Sequence, residues 1–271
     1  MKQAQSRKPA AAREAVELED ELHLAVAMGR FTEAEGFARA LMKRLENDSA
    51  EAAHTEPAMA LIEVLEETGR LKEAGRVAEA TLQGMVAWVR PVDMSVVFDK
   101  TVRFLDVSRR AGLLSPGEFE AKREAWLSGV PKQFPGTTPG TPWFAAFAAV
   151  ARTPEDARAA LDRMPEPRVV APFVMSMAGW SAVMGNLYWL SGRLPEARPH
   201  LQEAASDCGT LLTPMRNTLA MFQLGEVLSA LGEKEGACGA YRGVLDRWGA
   251  AKESVTAKKA AARVKALGCG K

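Results

Sequence analysis

The sequence predicts an all-α fold of about six helical hairpins, repeated with a period of about 40 residues and followed by one more helix. Composition points that way first. Long runs rich in Ala, Leu, Glu and Arg, with 12 Met, 10 Phe and only 2 Tyr, show little of the alternation a strand requires. Self-similarity points there more strongly. Gly29-Arg30-Phe31-Thr32-Glu33-Ala34, Gly69-Arg70-Leu71-Lys72-Glu73-Ala74, Gly192-Arg193-Leu194-Pro195-Glu196-Ala197 and Gly232-Glu233-Lys234-Glu235-Gly236-Ala237 share a small turn residue and an Ala five positions on, and form two pairs 40 residues apart. One step of 40 back from Gly192 reaches Arg152, where Thr153-Pro154-Glu155-Asp156-Ala157 keeps the register, and Gly112 stands where the remaining turn belongs.

In chain order, residues 1–9 are expected to be loose, and residues 10–130 to hold the first three units. Apolar residues around each turn recur at spacings of three and four: Met59, Leu61, Ile62 and Leu65 before Gly69, then Leu71, Ala74, Val77, Ala78 and Leu82 after it. A turn glycine suits the left-handed backbone that follows a helix. The sequences Ser115-Pro116 and Thr153-Pro154 read as N-caps with proline in the first turn. Ala34, Ala74, Ala157, Ala197 and Ala237 fall early in each second helix, where a small side chain lets the paired helices approach closely. Residues 131–142 lie in a stretch with Pro131, Pro135, Pro139 and Pro142 plus Gly136 and Gly140, and are expected to form a loop or hinge between two lobes. Residues 143–250 hold units four to six. The remainder, 251–271, supplies a capping helix whose apolar members are Val255, Ala262, Val264 and Leu267, and a tail.

The last unit, with Leu224, Gly225, Leu228, Gly232, Ala237 and Tyr241, resembles a tetratricopeptide repeat: a small helix-A glycine, the turn, the helix-B alanine and an aromatic one turn later. Met184, Gly185, Tyr188, Gly192, Ala197 and Leu201 repeat the set. The resemblance implies a right-handed α-solenoid with a concave groove, although a period of 40 exceeds the family's usual ~34 residues. Roughly the last forty residues, including Val244-Leu245-Asp246-Arg247-Trp248-Gly249, are also similar to tetratricopeptide regions at the C-terminal end of myxobacterial serine/threonine protein kinases. That similarity implies a regulatory or partner-binding part of a signalling protein. No kinase motif accompanies it.

Charge and cysteine usage exclude several classes. Lys plus Arg total 35 against 34 for Asp plus Glu, so no basic excess predicts nucleic acid. No apolar run is long enough for a membrane span or secretory h-region. Cys208, Cys238 and Cys269 are odd in number, far apart and without a CxxC pair, which predicts reduced thiols and a cytoplasmic location. His23, His54 and His200 fall in different units, with neither a HExxH helix nor ligand cysteines beside them, so neither metal nor cofactor is expected. Residues 243–252 have the wrong glycine spacing for a phosphate loop and read as a helix end.

Binding chemistry remains. In a hairpin stack the first helix of each unit lines the concave face. This directs Ala182, Asn186 and Trp189 of the fifth unit and Phe222, Gln223 and Glu226 of the sixth toward the groove, with Arg216 at its mouth. The resemblance implies that an Asn at such a position works with lysines to grip a peptide carboxylate. Ala182 and Phe222 stand where those lysines would be, which favours an apolar or mixed peptide. The expectation is a non-enzymatic protein-interaction module or scaffold in bacterial signalling. The alternative is a small-molecule sensor that holds its ligand between the two lobes.

Overall fold

The computed structural model describes residues 10–85, 99–133, 139–165, 177–207, 211 and 213–270, which are helical with no strand among them. The helices are α1 (Ala10–Ala27), α2 (Phe31–Arg44), α3 (Glu51–Glu67), α4 (Leu71–Gly84), α5 (Thr101–Arg110), α6 (Pro116–Gln133), α7 (Gly140–Trp143, continued by a π-turn over Phe144–Ala148), α8 (Pro154–Asp162), α9 (Met177–Leu190), α10 (Leu194–Ala205), α11 (Pro214–Ala230), α12 (Lys234–Trp248) and α13 (Val255–Leu267). Successive helices pack against one another from α1 to α6 and from α7 to α13. Trp88 and Cys208 lie outside the described residues, as do residues 134–138 of the expected hinge.

One device makes the turns. Gly29, Gly69, Gly112, Gly192 and Gly232 all take positive φ, between 69° and 81°. After each glycine the next amide reaches back five residues: Arg30 to the Ala25 carbonyl, Arg70 to Leu65, Leu113 to Ser108, Arg193 to Tyr188 and Glu233 to Leu228, at 2.7–2.9 Å. This satisfies carbonyls that the helix end would otherwise orphan, and only glycine enters that conformation without strain. The turn at Arg152 lacks the glycine and starts its helix differently. Thr153 Oγ accepts from the Asp156 amide at 3.1 Å and an Asp156 carboxylate oxygen accepts from the Thr153 amide at 3.1 Å, a reciprocal cap.

Small residues set the helix spacing. Ala34, Ala74, Ala157, Ala197 and Ala237 are fully buried. A Cβ on Gly225 would stand 2.6 Å from the Tyr241 ring, and one on Gly185 would stand 2.6 Å from the Leu201 side chain. These glycines therefore let α11 rest directly on α12, and α9 on α10.

Three expectations need correction. The stretch 131–142 is not all loop. Pro131 lies inside α6, two residues from its end, and Gly140 already begins α7. Val102, Leu105, Phe119, Trp126 and Val130 before this segment share one core with Ala145, Ala146 and Val150 after it. The cysteines are not all free thiols, because Cys238 and Cys269 form a disulfide with their Cα atoms 5.7 Å apart. They are 31 residues apart in sequence, yet α13 turns back along α12 and returns its end to the start of α12. The cytoplasmic expectation rested on reduced thiols and loses that basis. Among the described residues no helix is long and apolar enough to cross a membrane.

The third correction concerns the ends. A solenoid was expected to leave α13 on an open end, but α12 and α13 pack against α1, α2 and α3. Trp248 is fully buried, donates its Nε1 proton to the Val26 carbonyl at 2.8 Å and meets Phe31 edge-on with centroids 5.2 Å apart. The Glu67 carboxylate accepts from the Ser254 hydroxyl (2.6 Å), the Thr256 amide (2.8 Å) and the Thr256 hydroxyl (2.7 Å), all at the N-terminus of α13. A carboxylate buried there is compensated by three donors and by the positive end of the helix. The N- and C-terminal helices share one apolar core, in which Leu22, Phe31 and Leu65 are joined by Met215, Trp248 and Ala257.

Candidate functional site: a central cavity

Closure of the chain on itself shapes a half-open cavity of about 840 Å³, lined chiefly by α1, α3, α5, α7, α9, α11 and the start of α13. Of the seven residues expected to face the groove, Ala182, Asn186, Trp189, Arg216, Phe222 and Gln223 border it. Glu226 does not. Its carboxylate accepts the Tyr241 hydroxyl at 2.6 Å and both Nε and Nη2 of Arg263 at 2.7 and 2.6 Å, because α13 lies over that end of α11. Burial and the Glu226 hydrogen bond push the Tyr241 phenol well above its ordinary value.

The two amides form a chain. Gln223 Nε2 donates to Asn186 Oδ1 at 2.8 Å, and Asn186 Nδ2 donates to the Ala151 carbonyl at 3.3 Å. The same carbonyl accepts from Arg152 Nη1 at 3.2 Å. Asn186 thus ties α11 and α9 to the turn before α8, and holds Arg152 beside them at the cavity wall. Trp189 is partly buried against the core of α7–α11, with one side on that core and the other on the cavity.

A charged band from α3, α5 and α11 faces this wall. Arg103 Nη2 pairs with Glu63 at 2.8 Å, and Lys100 pairs with Glu56. Arg110 reaches Glu66 at 2.5 Å and Asp106 at 2.8 Å, while Arg109 reaches the other oxygen of Asp106 at 2.7 Å. Burial pushes the Glu63 carboxyl up, but the charges on Arg103, Arg216 and Lys100 outweigh it and hold the group below the usual carboxylate range. Arg152 and Arg216 are both pulled down by burial, and both feel the like charge of Arg103.

Sequence reasoning missed Arg103 and Arg152. Arg103 belongs to the unit where the repeat is weakest, and Arg152 occupied a turn position, so neither carried a groove signal. His23 and Phe144 also border the cavity, whereas several other aromatic and histidine side chains serve packing or face elsewhere. Trp143 is buried and donates to the Ala160 carbonyl at 2.7 Å, and Trp126 is buried and donates to Asp99 at 3.0 Å. His54 bonds the Asp48 carbonyl at 2.7 Å, and His200 stacks on Tyr188. Among the described residues no three His, Cys, Asp or Glu side chains converge as a metal site would require. The arrangement offers apolar surface, amides and guanidinium groups around a half-open space: means of holding a ligand. Compared with known proteins, the chain matches no family model and no curated protein sequence.

Proposed function

We propose that this chain is a non-catalytic binding module, a right-handed α-solenoid of about six tetratricopeptide-like hairpins that takes its ligand on the inward wall formed by α9 and α11. The supporting observation is the convergence of Asn186, Trp189, Arg216, Phe222 and Gln223 on one cavity. These are the residue types that give a pocket apolar area with a few placed polar groups. The packing of α12 and α13 on α1–α3 bounds the space, and about 840 Å³ falls within the usual range for a small-ligand site, roughly 300–1,000 Å³. That size favours a small molecule or the end of a peptide over a long helix laid along an open groove. The sensor reading is therefore the form of the proposal that the geometry supports best, with a partner protein contributing at most a short segment. The similarity of the C-terminal residues to kinase-associated repeats supports a place in bacterial signalling.

Retention of a ligand or partner from a lysate of the source organism by the wild type, and its loss in an Asn186→Ala/Trp189→Ala double variant that stays folded by circular dichroism, is the expected result. Equal retention by both proteins would move function off this wall.

A further inference from the structure

We propose that the cavity takes a small organic anion with an apolar body, its acidic group received by Arg152 and Arg216 and its body by Trp189 and Phe222. This rests on the cavity being the binding site. The cavity wall carries four arginines, Arg103, Arg110, Arg152 and Arg216. Arg103 and Arg110 each hold a carboxylate within 2.5–2.8 Å. The other two do not. The Arg152 guanidinium comes only within 3.9 Å of a carboxylate, from Nε to Asp106, and Asp106 is already bonded by Arg109 and Arg110. Among the described residues, Arg216 makes neither a hydrogen bond nor an ion pair; Glu63 and Glu56 act on it only through space.

A guanidinium has five N–H donors, and those that no protein group fills are open to a ligand acceptor. Arg152, with 37% of its side chain exposed, gives protons to two backbone carbonyls, Ala149 and Ala151, which leaves donor capacity for a ligand, and the half-buried Arg216 gives none to any described residue. Both also stand within electrostatic range of Arg103, and Arg152 of Arg110; Asp106 and Glu66 near Arg152, and Glu63 and Glu56 near Arg216, offset this repulsion, and an entering anion would add to that compensation. Carboxylate and phosphate oxygens match the planar fork of such groups. Polar side chains such as Glu19, Glu67 and Lys259 also border the cavity, but part of its wall is apolar. Phe144, Ala148, Leu190 and Leu219 border the same space as Trp189 and Phe222 and would stay wet if the ligand were only an inorganic ion. Guanidinium donors and apolar surface around one space define an amphipathic anion.

The test titrates the full chain with 4-phenylbutyrate, 4-phenylbutyl phosphate, 4-phenylbutan-1-ol and 4-phenylbutylamine, followed by calorimetry and tryptophan fluorescence. At least one anion is expected to bind on the order of tenfold more tightly than the alcohol, with the amine weakest, and preference between the two anions identifies the head group. Arg216→Gln removes no hydrogen bond from the fold and is expected to erase most of that preference, as is Arg152→Gln. The alcohol should bind these variants as it binds the wild type. Arg158→Gln, on the outward surface of α8, should change nothing. Equal binding of alcohol and anion, or anion binding indifferent to both arginines, overturns the proposal; loss of that binding in Trp189→Ala would still leave the cavity as the site. Absence of binding by all four compounds overturns the proposal as well, and retention of another ligand through Asn186 and Trp189 would then be what keeps the cavity reading.

Discussion

At Gly225 the missing methyl group sets the distance between two helices. A Cβ there would lie 2.6–2.9 Å from three atoms of the Tyr241 ring, which is itself fully buried and tied to Glu226, so the ring has nowhere to retreat. Gly225→Ala is expected to cost about 1–3 kcal/mol, read as a lower urea midpoint with an unchanged slope. This pair was legible in the sequence because the repeat carries both partners at a fixed interval. His200 carries a pH dependence. Partial burial beside the Tyr188 ring of α9 holds its pKa below the ordinary 6.5, and the charge of Glu203 offsets this only in part. A folded pKa below the unfolded one means that the unfolded chain takes up the proton more readily. The stabilisation linked to neutral His200 is then complete above about pH 6.5 and is lost as pH falls through the lower folded value. Urea midpoints measured between pH 7.5 and pH 5 should fall for the wild type, and fall less for His200→Gln. Arg216 was legible as a groove residue. Its lack of a partner was not, because absence of a counter-charge is a property of packing among α3, α5 and α11 that no local pattern encodes.

At the scale of helices, sequence reading succeeded where a start or stop is written locally. Five glycine turns and the caps at Ser115 and Thr153 follow from side-chain chemistry within a few residues. It failed where the determinant is distant. The π-turn over Phe144–Ala148 has no local signature, and α6 runs through Pro131 because its end packs Val130 against Ala145, Ala146 and Val150. The pairing of Cys238 with Cys269 depended on knowing that α13 folds back along α12. Ser254 caps α13 by accepting from the Ala257 amide at 2.9 Å, while the disulfide and the Schellman turn at Gly268 fix its other end. In Cys269→Ser the crosslink over a loop of 31 residues is lost, and a chain-entropy account predicts a destabilisation of about 3–4 kcal/mol. Amide exchange should quicken first in α13. The non-reduced wild-type protein should carry one intact bridge by mass spectrometry, and finding both thiols free would remove it.

At the scale of the molecule, the repeat predicts a stack but not whether the stack closes. Closure depends on Trp248 finding Phe31 and Val26, and on Glu67 finding Ser254 and Thr256, contacts between residues 187 to 222 positions apart. Those contacts bound one side of the half-open cavity, which α3 and α5 line together with α9 and α11. The binding proposal therefore stands on closure. A double-mutant cycle on Glu67→Gln and Thr256→Val, measured by urea unfolding, tests it across a separation of 189 residues. Because a buried charged hydrogen bond contributes about 1.5–3 kcal/mol, a coupling energy of that order is expected. Additive losses within about 0.5 kcal/mol would show that the two ends do not meet in solution.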